Sequence, residues 1–74
     1  MKSHNRFRTQ LLQLGKKIKY HRNLNDIKPK EMASLLELQP NSYYKIESGD
    51  ADLSYTCLMH IAEILKVDLP ALIV

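Results

Sequence analysis

Apolar residues recur at three- and four-residue steps along most of the chain, which is the spacing of one face of an α-helix. The first such stretch runs from about Gln10 to Asn23. The residues that share its face are Leu11, Leu14, Ile18 and His21. No stretch shows the strict alternation of apolar and polar residues that marks a half-buried strand. The pattern therefore predicts an all-α fold.

Two short helices are predicted in the middle of the chain, because proline is favoured at the first helical position, where its missing N–H group is not needed. Pro29 and Pro40 stand eleven residues apart, and Gly49 follows at the place of a C-terminal cap. The apolar positions of these helices are Met32, Ala33 and Leu36 in the first, and Tyr43 and Ile46 in the second. Helices this short are unstable alone, so they must pack on each other. The spacing predicts a helix-turn-helix unit.

The C-terminal part predicts two more helices. Ser54 is a good N-cap for a helix whose apolar face has the steps i, i+3, i+4 and i+7. That face consists of Leu58, Ile61, Ala62 and Leu65. A last short turn is predicted from Leu69 to Ile73, after Asp68. Five helices thus form a single domain over residues 10–74, preceded by a polar, basic arm over residues 1–9.

Composition narrows the class of protein. The chain has 74 residues, room for one domain, and no apolar run long enough for a membrane span or a secretory signal. Cys57 is the single cysteine, which favours a reducing, cytoplasmic compartment. His4, His21 and His60 fall at no ligand spacing, so no metal is expected. No nucleophile–base pair or glycine-rich phosphate loop is visible, so we expect neither an enzyme nor a cofactor.

Charge is distributed unevenly along the chain. Residues 1–30 carry nine Lys or Arg and one acidic residue, whereas residues 31–74 carry two basic and seven acidic residues. A basic segment of this kind favours a polyanionic partner, although many basic segments are simply solvated surface.

Four segments agree, in order and register, with one known family. They are Leu14-Gly15-Lys16-Lys17-Ile18, Ile27-Lys28-Pro29-Lys30-Glu31-Met32-Ala33, Tyr43-Tyr44-Lys45-Ile46-Glu47-Ser48-Gly49, and the apolar positions from Leu58 to Val67. Together they resemble the phage repressor and Cro family of helix-turn-helix proteins, also called Xre-like. The resemblance implies a compact five-helix, lambda-repressor-like fold. It also implies a sequence-specific transcriptional regulator, most often a repressor, whose third helix enters the major groove of double-stranded DNA.

The resemblance implies a set of DNA-contacting residues at the start of the second helix and along the third. They are Lys28, Lys30, Gln39, Pro40, Asn41, Ser42, Tyr44, Lys45 and Ser48. Asn41 is the candidate for reading a base edge, and Lys45 for a guanine or a phosphate. Lys28, Lys30 and Ser48 are candidates for phosphate. The resemblance also pairs Arg22 with Glu47 in an ion pair between the first and third helices.

The sequence departs from the family pattern at several positions. Pro29 stands where a phosphate-binding glutamine is common, and Gln39 is a weaker cap than the usual Ser or Thr. Glu37 stands where glycine is common, and a left-handed conformation there would cost about 1 kcal/mol. Asp50 and Asp52 occupy a loop expected to face phosphate, and we expect them to weaken DNA binding.

The apolar ending Leu69-Pro70-Ala71-Leu72-Ile73-Val74 predicts a homodimer through the C-terminal region. An alternative function is a protein-interaction module on the same fold, such as an antitoxin-like partner of another protein. The acidic second part of the chain, an exposed Tyr44 and the apolar ending would all suit that alternative. It predicts binding that persists at raised salt and does not depend on DNA.

Overall fold

A computed structural model of the protein describes residues 7–73. Within this range the chain forms five helices and no strand. Their bounds are α1 Arg8–Leu24, α2 Pro29–Leu35, α3 Pro40–Glu47, α4 Tyr55–Leu65 and α5 Leu69–Ile73. None of the five is long and apolar enough to cross a membrane. The predicted all-α fold and its five helices are confirmed, and both prolines begin their helices as expected.

Helix α1 begins earlier than the sequence predicted, so the predicted arm is too long at its C-terminal end. Arg8 and Thr9, which were assigned to the arm, are helical. The N–H of Leu11 donates to the carbonyl of Phe7 at 2.9 Å, and the Arg8 guanidinium lies 2.9 Å from Asp50. This tertiary contact joins the first turn of α1, which has no apolar signal of its own, to the loop after α3. Residues 1–6 of the predicted arm lie outside the described residues.

All five helices contribute to one hydrophobic core. Its buried members are Ile18, Met32, Ala33, Leu36, Tyr43, Ile46, Ile61, Ala62, Leu65 and Leu72. Every apolar position predicted for α2 and α3 is among them. On α1, only Ile18 of the predicted stripe is fully buried, while its neighbours on the stripe are half-buried. The half-buried side chains pack around the edge of a core that is small, as expected for a chain of this length.

Helices α1 to α4 end in the same way. The residue after the last turn takes a left-handed conformation, with φ of 56° at Asp26, 60° at Glu37, 79° at Gly49 and 60° at Lys66. Paired backbone hydrogen bonds close each end, such as Glu37 N–H to the Ser34 carbonyl. This is the Schellman motif, which satisfies carbonyls that a helix end leaves unpaired. Three of the four positions lack glycine, and each accepts a conformational cost of about 1 kcal/mol.

The turn between α2 and α3 is therefore tight and well defined. Glu37 keeps the left-handed conformation, and the N–H of Leu38 donates to the carbonyl of Ala33 at 2.8 Å. Leu38 is half-buried and packs against the core. The turn packs α3 against α2, and α3 also packs against α1.

Candidate nucleic-acid interface

Helix α3 has two chemically distinct faces. Tyr43 and Ile46 point into the core, with 0% and 5% of their surface exposed. The outward residues are Asn41, Ser42, Tyr44 and Lys45, all of them exposed. Tyr44 is the largest of these, and it leaves 43% of its surface open to solvent. The helix thus presents an amide, a hydroxyl, a phenol and an ammonium group on its solvent side.

No side-chain hydrogen bond caps the start of α3. Gln39 is extended, with φ of −68° and ψ of 148°, and its side chain forms no cap hydrogen bond. Pro40 follows as the first helical residue and is half-buried. Because glutamine is a weak cap, its amide stays exposed beside Asn41. Two exposed residues with amide side chains, Gln39 and Asn41, therefore lie at the N-terminal end of this helix.

The start of α2 brings two ammonium groups to the surface. Lys28 and Lys30 flank Pro29, and both are exposed. The backbone N–H of Lys28 is bound by the carboxylate of Glu31 at 3.3 Å, so this donor is engaged within the chain. Pro29 has no N–H to offer an anion, so the exposed ammonium groups of the two lysines are the candidate anion contacts at this end.

Ser48 and Asp50 form a polar cluster with Arg8 just after α3. The Ser48 hydroxyl lies 3.0 Å from one carboxylate oxygen of Asp50 and 3.2 Å from the carbonyl of Lys45. The other carboxylate oxygen of Asp50 lies 2.9 Å from the Arg8 guanidinium. Arg8 was not among the site residues predicted from sequence. No spacing along the chain could reveal the contact, because it joins the first turn of α1 to the loop after α3.

A nearly buried polar network holds α3 against α1. Arg22 Nε lies 2.6 Å from Glu47 Oε2, and a second guanidinium nitrogen lies 3.3 Å from Oε1. The third nitrogen donates to the Ile27 carbonyl at 2.7 Å, so Arg22 also ties down the segment before α2. The Tyr43 hydroxyl completes the network by donating to Glu47. The ion pair between Arg22 and Glu47 that the family resemblance implied is therefore present.

The protonation states in this network follow from its geometry. The hydrogen bond from Arg22 to Glu47 raises the pKa of the guanidinium, against the opposing effect of burial. Burial, and then the hydrogen bond to Glu47, raise the pKa of the Tyr43 phenol far above its usual range. Tyr43 therefore remains a neutral donor at physiological pH. The Tyr43 hydroxyl was missed from sequence, although its spacing of four residues from Glu47 on one helix is the signal that could have found it.

Two glycines allow α1 to lie directly on the C-terminal end of α3. A Cβ atom on Gly15 would lie 2.4 Å from the carbonyl oxygen of Glu47 and 2.6 Å from that of Ile46. A Cβ atom on Gly49 would lie 2.7 Å from the Cα atom of Leu12. Because these contacts involve backbone, no side-chain rotation could relieve them. The two helices meet backbone to backbone, which fixes where the outward face of α3 points.

Two solved structures resemble the chain over most of its length. The restriction-modification controller protein C.AhdI from Aeromonas hydrophila matches with a TM-score of 0.80 at 19% identity, over 86% of this chain and 97% of that protein. The second is the clp gene regulator ClgR from C. glutamicum, with a TM-score of 0.78 at 17% identity, over 85% of this chain and 82% of that one. The chain shares the fold of both structures. The sequence matches no family model and no curated protein.

The likeness confirms the helix-turn-helix architecture that the sequence predicted. Within that architecture, the predicted site residues fall into three groups on the surface. One group lies at the start of α2, one along the outward face of α3, and one at the α3 C-terminus. Of the predicted DNA-contacting residues, only Pro40 is half-buried. The others are exposed, namely Lys28, Lys30, Gln39, Asn41, Ser42, Tyr44, Lys45 and Ser48.

Proposed function

We propose that the protein is a sequence-specific DNA-binding regulator that inserts α3 into the major groove. The observation that carries this proposal is the outward face of α3, where exposed amide, hydroxyl and ammonium groups stand on a short helix braced by α1 and α2. An α-helix fits the major groove, which is about 12 Å wide. The known regulators that share this fold support the same reading.

Each exposed group has a chemical role in this proposal. Asn41 reads a base edge, because a side-chain amide can both donate to and accept from adenine. Lys45 donates to a guanine or a phosphate, and Tyr44 packs on a sugar or a thymine methyl group. Lys28 and Lys30 contact the phosphate backbone and set the register of the domain on the duplex. Regulation then follows from occupancy of the site rather than from catalysis.

The test of this proposal is fluorescence anisotropy of the purified chain with a duplex of random sequence. Phosphate contacts release counterions, so binding should weaken steeply as salt rises from about 50 to about 200 mM. Micromolar binding with that salt dependence would support the proposal and would justify selecting an operator. No binding at low salt, or binding that does not respond to salt, would contradict it and favour a protein partner.

Asn41→Ala and Lys28→Ala should have different effects on binding to a selected operator. Asn41→Ala should weaken binding by about 1–3 kcal/mol and relax selectivity at one base pair, because one base contact is lost. Lys28→Ala should weaken binding to all sequences alike, because a phosphate contact is lost. The slope of log affinity against log salt concentration should become shallower by about one. Anisotropy against a panel of single-base variants measures both effects.

Lys19→Ala and Asn23→Ala are the matched controls, since both residues are exposed on α1. Lys19→Ala removes the same charge as Lys28→Ala and should weaken binding less, through long-range attraction alone. If neither Asn41→Ala nor Lys28→Ala differs from its control, α3 and the start of α2 do not meet DNA as proposed.

The C-terminal region supports a homodimer as part of the same proposal. Leu72 fills the core, but Ile73 leaves 56% and Met59 leaves 50% of their surface exposed. Between α4 and α5 lies a groove of about 640 Å³ whose apolar lining includes Met59, Val67 and Leu69. Pairing two such surfaces would bury them, and a dimer that binds two adjacent half-sites needs its two α3 helices about 34 Å apart, one turn of DNA.

Met59→Glu is expected to shift the protein toward monomer, because a charge in an apolar contact must be desolvated. Light scattering after size exclusion, with and without operator DNA, measures the mass. The matched control is Leu35→Glu on α2, where the leucine is similarly exposed at 48%. That variant should keep the mass of the original protein. A monomer at all concentrations, on and off DNA, would rule the dimer out.

A further inference from the structure

The carboxylate of Asp50 is held by two donors on the surface of the protein. Arg8 contacts one oxygen at 2.9 Å and Ser48 contacts the other at 3.0 Å. The side chains of Arg8 and Asp50 are 47% and 48% exposed, so the cluster opens to solvent. The backbone of Asp50 is fixed, since its N–H donates to the Lys45 carbonyl at 2.8 Å. When the side chain of Asp50 turns away, the Arg8 guanidinium becomes available, and the Ser48 hydroxyl keeps the Lys45 carbonyl, at 3.2 Å, as its other acceptor until an anion replaces it.

A guanidinium and a hydroxyl aimed at two oxygens of one anion are also the donors that phosphate takes in protein–DNA contacts. We propose that Arg8 and Ser48 form a binding site for a DNA backbone phosphate, which the Asp50 carboxylate occupies in the free protein and leaves on binding. Asp50 thus acts as an internal competitor for DNA. This inference rests on the proposed function and adds Arg8 to its contacts.

Arg8 and Ser48 lie where the C-terminal end of α3 would meet a DNA backbone phosphate beside the major groove. Helix α3 has 8 residues and is therefore about 12 Å long, which is close to the width of the major groove. When its outward face meets the bases, its C-terminal end comes close to one backbone strand. Ser48 caps that end, one turn beyond the exposed Lys45. A phosphate at this place would meet Ser48 and Arg8 together.

A DNA phosphate could replace the Asp50 carboxylate at little cost to the fold. Exposed ion pairs gain little stability, because water and salt screen them. Losing the pair therefore harms the fold little, whereas a carboxylate left beside a phosphate would repel it. The competition lowers affinity for every duplex by a similar factor. It sets the binding strength without changing which bases are read.

The experiment measures DNA affinity of Asp50→Ala beside two variants that remove the same charge, Asp52→Ala in the same loop and Glu63→Ala on α4. All three residues are exposed. Asp50→Ala should tighten binding to a random duplex about fivefold at low salt, the effect of roughly one unit-charge contact in water. For this variant, the slope of log affinity against log salt concentration should become steeper by about one, because one more phosphate is contacted. The two controls should tighten binding less and leave the slope unchanged.

A second set of variants separates competition from general charge repulsion. In an Arg8→Gln background, the gain from Asp50→Ala should fall to the gain from Asp52→Ala, because the charged donor for which Asp50 competes is gone and the Ser48 hydroxyl alone is a weak phosphate contact. Circular dichroism melting checks that each variant folds. Equal gains from Asp50→Ala and Asp52→Ala, or a gain that persists without Arg8, overturn the inference while the proposed function stands. If the original chain and Asp50→Ala both fail to bind DNA at low salt, the proposed function fails and this site fails with it.

Discussion

Replacing Gly15 with alanine is expected to destabilise the domain by about 2 kcal/mol, although alanine is the better helix former by about 1 kcal/mol. The added methyl group would lie 2.4 Å and 2.6 Å from two backbone carbonyl oxygens at the end of α3. Real Cβ atoms do not approach so closely, and backbone cannot rotate aside as a side chain does. Helix α1 must therefore move away from α3. The lost packing outweighs the gain in helix propensity.

Thermal melting followed by circular dichroism measures this effect. In a domain of this size a loss of 1 kcal/mol lowers Tm by about 4–8 °C, so Gly15→Ala should lower it by roughly 10 °C. Asn23→Ala is the control, since Asn23 is exposed near the other end of α1. There alanine should be neutral or stabilising, because only propensity changes. A Gly15→Ala protein as stable as the original would mean that the two helices do not meet backbone to backbone.

The same substitution should also weaken DNA binding at temperatures where the variant is folded. Gly15 faces the carbonyls of Ile46 and Glu47, which belong to the helix that carries Asn41 and Lys45. A shift of α1 would tilt that helix relative to the lysines at the start of α2. Base and phosphate contacts could then not form together, so the loss should exceed what the unfolded fraction explains.

The starts of α2, α3 and α4 could be predicted because their signals are local. Pro29 and Pro40 fix the starts of α2 and α3 by their own backbone chemistry. Ser54 fixes the start of α4, and its hydroxyl accepts from the N–H of Cys57 at 3.0 Å. The outward face of α3 followed in the same way, since placing Tyr43 and Ile46 in the core leaves the intervening residues outside. Periodicity therefore predicted which residues of α3 face outward, and the family resemblance marked those residues as candidates for DNA contact.

The contacts that join distant segments could not be predicted in this way. Arg8 carries no apolar signal, and its contact with Asp50 exists only because α1 passes the loop after α3. The close approach at Gly15 likewise depends on how two helices pack, whereas its sequence position indicates only a weak helix former. Asp50 was expected to repel DNA. The structure adds that its carboxylate is engaged by Arg8 and Ser48, which is the basis for proposing that it competes with DNA for those donors.

Replacing Arg22 with methionine is expected to cause the largest loss of stability, about 3–5 kcal/mol. The substitution leaves the Glu47 carboxylate, whose side chain is 12% exposed, without its cation. It also leaves the Ile27 carbonyl without the donor that holds it at 2.7 Å. A domain as small as this one has a total stability near the low end of about 5–15 kcal/mol. Much of the variant should therefore be unfolded at 37 °C, as urea unfolding followed by circular dichroism would measure.

Two further variants distinguish the geometry of the network from its charge. Arg22→Lys keeps the cation but cannot reach both Glu47 oxygens and the Ile27 carbonyl at once, so its stability should fall between those of the original and Arg22→Met. Arg22→Met combined with Glu47→Leu removes both charges and should be more stable than Arg22→Met alone, because no unpaired carboxylate remains. If the double variant is instead the less stable of the two, desolvation of Glu47 is not what makes Arg22 necessary. Recovery of stability without recovery of DNA binding would show that the pair serves mainly to orient α3.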